Sequence, residues 1–208
     1  MSIIVLIIAI SIVNYFVITT VVDVILMGKL HFQSKRKTDL AQAMITKENR
    51  IDIQSGFQCS AYSSAFVLRH FGIDAFGKDV YQEMPNKMKN GYVYPKGIVN
   101  LMHQYGLGCE YCAGNLDSLK SQLAKGNPVI VMIKVYQDKN WLHYVPVVGY
   151  DETNIYIAES LPELVNCNEE HYNRCVKNTE FLKLWNTCMI KQPLYRYTYF
   201  KIDDGKVQ

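Results

Sequence analysis

The first 22 residues, MSIIVLIIAISIVNYFVITTVV, carry no charged side chain, and the first acid is Asp23. About 20 apolar residues in helical geometry cross a bilayer core about 30 Å thick, and Ser11, Asn14, Thr19 and Thr20 are tolerable within such a helix. A cleaved signal peptide would instead need a basic residue ahead of a shorter core and a small-residue cleavage site. No basic side chain precedes this core, and VVDVILMG offers no A-x-A pattern. The pattern therefore predicts an uncleaved single-pass anchor, with a cleaved signal and a buried helix as lesser alternatives.

Beyond the anchor the spacing turns helical. Cys59 to Phe71 runs without Gly or Pro and stops at Gly72, which suits a C′ residue. PKGIVNLMHQYG (95–106) opens on Pro, sets Ile98, Leu101 and Met102 at helical spacing and stops at Gly106. NLDSLKSQLAKG (115–126) has Asn115 as N-cap, a stripe of Leu116, Leu119 and Leu123, and Gly126 to end it. From residue 128 the period changes. PVIVMIKVY is a short apolar run typical of a buried strand, and HYVPVVGYDETNIYIAE predicts two strands around a polar turn. A last helix is expected over TEFLKLWN (179–186), then a tyrosine-rich strand in PLYRYTYFKI. Helices first and a meandering sheet afterwards predict an α+β fold. The expected organisation is an anchor over 1–28, a basic collar and linker over 29–49, and one mixed domain over 50–208.

Composition narrows the partners. With 49% hydrophobic and 20% charged residues the chain fits an ordinary globular protein. A net charge of +3 gives no basis for a nucleic-acid partner. Lys29, Lys35, Arg36 and Lys37 lie just past the apolar run, with nothing basic ahead of it except the amino terminus. The positive-inside rule then places the C-terminal side in the cytoplasm, with the collar against anionic headgroups. Of six cysteines, setting Cys59 aside leaves Cys109, Cys112, Cys167, Cys175 and Cys188, five that cannot all pair within the chain. Reduced thiols fit that count better than a disulfide framework.

A cysteine in the first turn of a helix is a candidate nucleophile, because the unsatisfied N–H groups and the dipole favour a thiolate. The same position suits an inert buried thiol, so Cys59 alone decides nothing. A nucleophile needs a base. His31 lies beside the collar, His103 on an amphipathic helix and His171 in an acidic loop-like stretch. His70 shares the Cys59 helix, but eleven residues at about 1.5 Å each put it about 16 Å away. His143 differs, because it opens the apolar strand HYVPVVGY. A hairpin centred on Asp151 would pair Val147 with Ile155, Val145 with Ile157 and His143 with Glu159, all six on one face. Glu159 could then fix the imidazole tautomer, as the third member of a triad does. The competing reading is an ordinary polar pair at a sheet margin. Pro146 removes one ladder donor and implies an edge or a bulge.

Two further motifs fall away. GIDAFGKD (72–79) approaches a phosphate-binding loop, but Asp79 stands where a hydroxyl is needed and the segment comes after a helix instead of a strand. Cys109, Cys112, Cys167, His171 and Cys175 could supply zinc ligands, but their spacing is loose.

Taken together, Cys opening a helix that ends in LRHFG, then HYVPVVGYD, then a short strand ending in an acid, resembles the papain-like double-glycine peptidases. These are the bacteriocin-leader processing domains and their stand-alone relatives. YNRCVKNTEFLKLW (172–185) is similar to the tract C-terminal to the acid in stand-alone members, and the resemblance covers roughly residues 50–187. It implies a papain-like α+β fold, Cys59 as nucleophile, His143 as general base and acid, Glu159 as the orienting residue, and no cofactor. It also implies a leader or other extended peptide as substrate and a separate transporter as a candidate partner. Three positions depart from the family pattern. Ser60 replaces the usual Gly, Glu159 the usual Asp, and the oxyanion-hole glutamine is one position displaced, at Gln54 with Ile53 in its place; Gln58 adjoins the cysteine. These departures predict a weak activity. Acyl transfer on the same triad and a silent peptide-binding module at the membrane are the alternatives.

Overall fold

A computed structural model describes residues 3–33, 38–188 and 194–205. Lys35, Arg36 and Lys37 of the collar lie outside the described residues. Helix α1 (Ile3–Met27) is, among the described residues, the one helix long and apolar enough to cross a membrane. Its side chains are exposed along almost its whole length, and Met27 at its end is buried. Two short strands come next, β1 (His31–Phe32) and β2 (Ala43–Met44), within the stretch read as collar and linker.

The helical layer comprises α2 (Cys59–His70), α3 (Gly77–Glu83) and α4 (Pro95–Gln104). Pro95 sits in the first turn of α4, where its missing N–H costs nothing. Strand β3 (Gly108–Ala113) is next, then α5 (Leu116–Leu123). Asn115 and Ser118 close a reciprocal capping box at the start of α5. The remaining elements are β4 (Val129–Lys134), β5 (Leu142–Tyr150), β6 (Asn154–Ile157), β7 (Arg174–Lys177), α6 (Asn178–Trp185) and β8 (Thr198–Asp203).

The strands form one sheet in the order β1-β3-β8-β4-β5-β6-β7, with β2 pairing β5. Both faces are covered. Ile130 and Met132 of β4 join Leu68, Ile98 and Leu101 in the core on the side of α2 and α4, while Val129, Val131 and Ile133 join Leu119, Leu123 and Trp185 on the side of α5 and α6. Burial on both faces is why 129–133 reads as an unbroken apolar run instead of alternating. The α+β class expected from the pattern is the one observed, but the sheet is not a simple meander. The last strand, β8, inserts between β3 and β4. Segment 108–113, read for its thiols, is a strand, and of 72–79, read for a phosphate loop, residues 77–79 open α3. Neither carries a local periodic signature long enough to declare itself.

The hairpin register also differs from the expected one. Val147 pairs with Ile157 and Tyr150 with Ile155, with a shift between Val147 and Gly149. The cause is the turn: Asp151 Oδ1 accepts the N–H groups of Thr153 and Asn154 at 2.7 and 2.6 Å, which starts β6 at Asn154. A bulge then absorbs the odd residue. Glu159 therefore lies past the end of β6 and is not the cross-strand partner of His143. Val145, Val147, Ile155 and Ile157 still share one face, because the bulge restores the parity.

Candidate active site

Cys59 is the first residue of α2, and the preceding Gln58 makes no side-chain cap. The helix is fixed by its small buried face, with Ala61, Ala65 and Leu68 fully covered. A buried hydrogen bond from Ser63 Oγ to the Tyr144 carbonyl, 2.8 Å, ties it to the strand that carries His143. Helix and strand thus present Cys59 and His143 to the same cleft. This cleft of about 850 Å³ lies between the helical layer and the sheet, with Tyr92 and Tyr94 on one wall and Met132 and Leu142 on the other.

His143 is 2% exposed and lies opposite Ile133 in the ladder. Its Nε2 is 2.7 Å from Glu159 Oε1. Burial works against the charged ring, but the Glu159 carboxylate and Cys59 beside it outweigh that cost and raise its pKa to about 9.

Glu159 is fully buried. Besides His143, its Oε1 accepts the Leu161 N–H at 2.9 Å, and its Oε2 accepts Arg174 Nη1 at 2.7 Å. Asn173 grips its main chain, accepting the Glu159 N–H at 2.6 Å and donating to its carbonyl at 2.9 Å. Burial alone would raise the carboxyl pKa, but His143 first, then Arg174 and the Leu161 N–H, hold it below the usual range. Arg174 reaches this point because it opens β7 directly opposite Ile157, two residues before Glu159.

Gln54 also lines the cleft, whereas Gln58 does not. The Gln54 Oε1 accepts Ser160 Oγ at 2.7 Å, its Nε2 donates to the Gly56 carbonyl at 2.6 Å, and its N–H donates to the Ser160 carbonyl at 2.9 Å. The amide nitrogen carries a second hydrogen, the group that an oxyanion role would use. Gln58 Oε1 is buried without a partner among the described residues.

The other thiols are placed differently. Cys109 and Cys112, three apart on β3, face opposite sides of the sheet and belong to different cores. They cannot grip one ion between them. Burial pushes both thiols up, Cys112 to about 11, which keeps them protonated and inert.

Sequence reasoning brought Cys59, His143, Glu159 and Gln54 forward; Cys59, His143 and Gln54 line one cleft, and Glu159 lies buried against His143. It did not single out Arg174, Asn173 or Ser160. A signal for the first two existed: Asn and Arg stand together at the start of RCVK, inside the 172–185 tract that carries part of the family resemblance.

Residues 37–189 match the family model described as the Peptidase_C39 like family. No curated protein matches the chain. Among solved structures, the chain is similar to the peptidase domain of Streptococcus ComA, a bi-functional ABC transporter involved in a quorum sensing pathway, at 17% identity. That likeness has a TM-score of 0.56 and covers 74% of this chain and 98% of that one. A protein described as a C39-like peptidase from Bacillus anthracis is similar at 15% identity and a TM-score of 0.57, over 77% of this chain and 97% of that one. At these identities the likeness is one of fold.

Proposed function

The chain belongs to the Peptidase_C39 like family, a membership that supports a peptidase, and from that premise we propose that it is a membrane-anchored cysteine peptidase. The observation that carries the reading is the buried His143–Glu159 pair, 2.7 Å apart, whose His143 shares a cleft with a cysteine at a helix N-terminus. In this reading Cys59 Sγ, having given its proton to His143, attacks the carbonyl of an extended peptide. The oxyanion is met by the Cys59 N–H and the Gln54 amide. The imidazolium, steadied by Glu159, then protonates the leaving amine. In the second half, His143 takes a proton from water as the hydroxide attacks the thioester, and the thiolate–imidazolium pair returns. No cofactor is called for.

Residues 1–28 are the anchor in this proposal, 29–49 a linker that β1 and β2 stitch to the sheet, and 50–208 the catalytic domain. Lys29 and the collar put that domain on the cytoplasmic side. The substrate is a leader or other extended peptide. ComA joins such a domain to an ABC transporter; here the transporter would be a separate partner.

The test is site-resolved alkylation of Cys59 by iodoacetamide in the full chain from about pH 4 to about pH 9, followed by peptide mapping. Fast labelling that persists below neutral pH and slows in His143→Ala supports the reading. Labelling like that of an ordinary thiol, indifferent to His143, overturns it. Cleavage of a Gly-Gly peptide, lost in Cys59→Ala, then separates hydrolysis from a silent binding module. An amine acceptor that captures the acyl group in place of water would reveal a transferase.

A further inference from the structure

Met27 is the last residue of α1 and also a wall residue of the cleft that holds Cys59 and His143. It is only 5% exposed, so this end of the helix is built into the domain. Lys96, in the first turn of α4, donates from Nζ to the Ile25 carbonyl at 2.5 Å. Gly28, at φ 97°, comes directly after the helix with Lys96 packed so closely that a Cβ added there would come within 3.1 Å of the Lys96 Cβ. The connection is therefore a short, pinned one and not a loose tether. A helix of 25 residues is about 37 Å long at about 1.5 Å per residue, against a hydrocarbon core of about 30 Å. Its end, and the cleft wall it supplies, then lie at headgroup depth.

The rim has the matching chemistry. Phe57 and Trp141, both on the cleft, are 68% and 62% exposed. The Phe57 ring leans on Tyr92 and the Trp141 ring on Tyr136. The Lys139 ammonium stands 5.0 Å from the Tyr136 and Trp141 rings. Exposed Trp and Tyr with an adjacent Lys suit the zone between acyl chains and anionic headgroups.

We propose that the substrate is a polypeptide held in the same bilayer, cut within a few residues of where it leaves the hydrocarbon core. This deepens the peptidase reading and rests on it and on the anchor. Confining enzyme and substrate to one surface raises their effective concentration, while the apolar cleft receives the segment emerging beside Met27.

The test uses the full chain in phospholipid vesicles. Its first probe is iodoacetamide carried on a phospholipid headgroup through spacers of about 5, 15 and 30 Å, with labelling mapped at Cys59. The expected result is labelling through the shortest spacer; labelling only through the longest overturns the proposal by placing Cys59 far from the surface. The second probe is a Gly-Gly peptide, either free or joined by linkers of about 3 to about 25 residues to an apolar transmembrane helix. Short-linker peptides should be cut at least about tenfold faster than the free peptide at equal concentration. Equal rates, or cutting only behind the longest linkers, defeat this proposal and leave the peptidase reading standing. No cutting of either form, with Cys59 labelled as an ordinary thiol, defeats both.

Discussion

Glu159 is fully buried and held by five hydrogen bonds, from His143, Leu161, Arg174 and twice through Asn173. Gln54, a polar residue of the cleft, sits on a loop in which Ile53 and Phe57 are 50% and 68% exposed, and among the described residues its side chain bonds to Ser160 and Gly56. One arm is a charge network sealed from water; the other is a loop that water and substrate can reach. In the dry arm water cannot replace a lost partner, so removing a charged one is costly. In the wet arm a lost hydrogen bond is replaced by water, and the cost falls on catalysis instead of folding. In the proposed mechanism the stable arm would orient the base, and the adjustable arm is where substrate binding would complete the site.

The largest test of this contrast is Glu159→Gln. It keeps the shape but removes the charge, and kcat/KM for peptide cleavage should fall about 10⁴-fold, as when the acid of a triad is made an amide. Retention of most activity would reduce Glu159 to a structural pair. Next comes Arg174→Met, which removes one of the two cationic partners of the buried Glu159 carboxylate. Urea unfolding should show a loss of about 3–5 kcal/mol, with Arg174→Lys recovering much of it. A loss below about 1 kcal/mol would erase the difference between the two arms.

Gln54→Ala should act in the opposite way. The expected fall in kcat is about 10²–10³-fold, with the urea midpoint almost unmoved. A large drop in stability there would mean that the Gln54–Ser160 link is as structural as the acid network.

The smallest effect is the pH dependence. The raised pKa of His143 gives stability that is complete below its ordinary 6.5 and is lost as pH climbs through about 9. The lowered pKa of Glu159 gives stability that is complete above its ordinary 4.5 and is lost as pH falls through the folded value below that. Thermal unfolding midpoints should therefore be highest between those two ordinary values and decline on both sides. In Glu159→Gln both slopes should flatten, because each shift depends on the other partner.

Much of the molecule is readable along the chain. The apolar span, the helices behind Cys59, Pro95 and Asn115, and the buried run at 129–133 announce themselves through spacing and caps, which are local. Cys59, His143 and Glu159 stand out for the same reason: a helix start, and two residues of matching parity flanking one turn. Parity leads to the right contact through the wrong register. A period of two preserves the face even when a bulge shifts the pairing, whereas the pairing itself depends on the Asp151 turn.

What only the tertiary structure decided is everything that depends on where distant segments close. Strand β8 enters the sheet between β3 and β4 through partners about 70 to 95 residues away in sequence. Arg174 becomes the counter-ion of Glu159 because β7 docks on β6, and Met27 becomes a cleft residue because Lys96 receives the end of α1. Such contacts leave no periodic imprint in the residues that make them. Hydrophobic spacing determines which face each segment must bury; which segment buries it, and which charge then finds itself beside which, is set only when the whole sheet closes and water leaves.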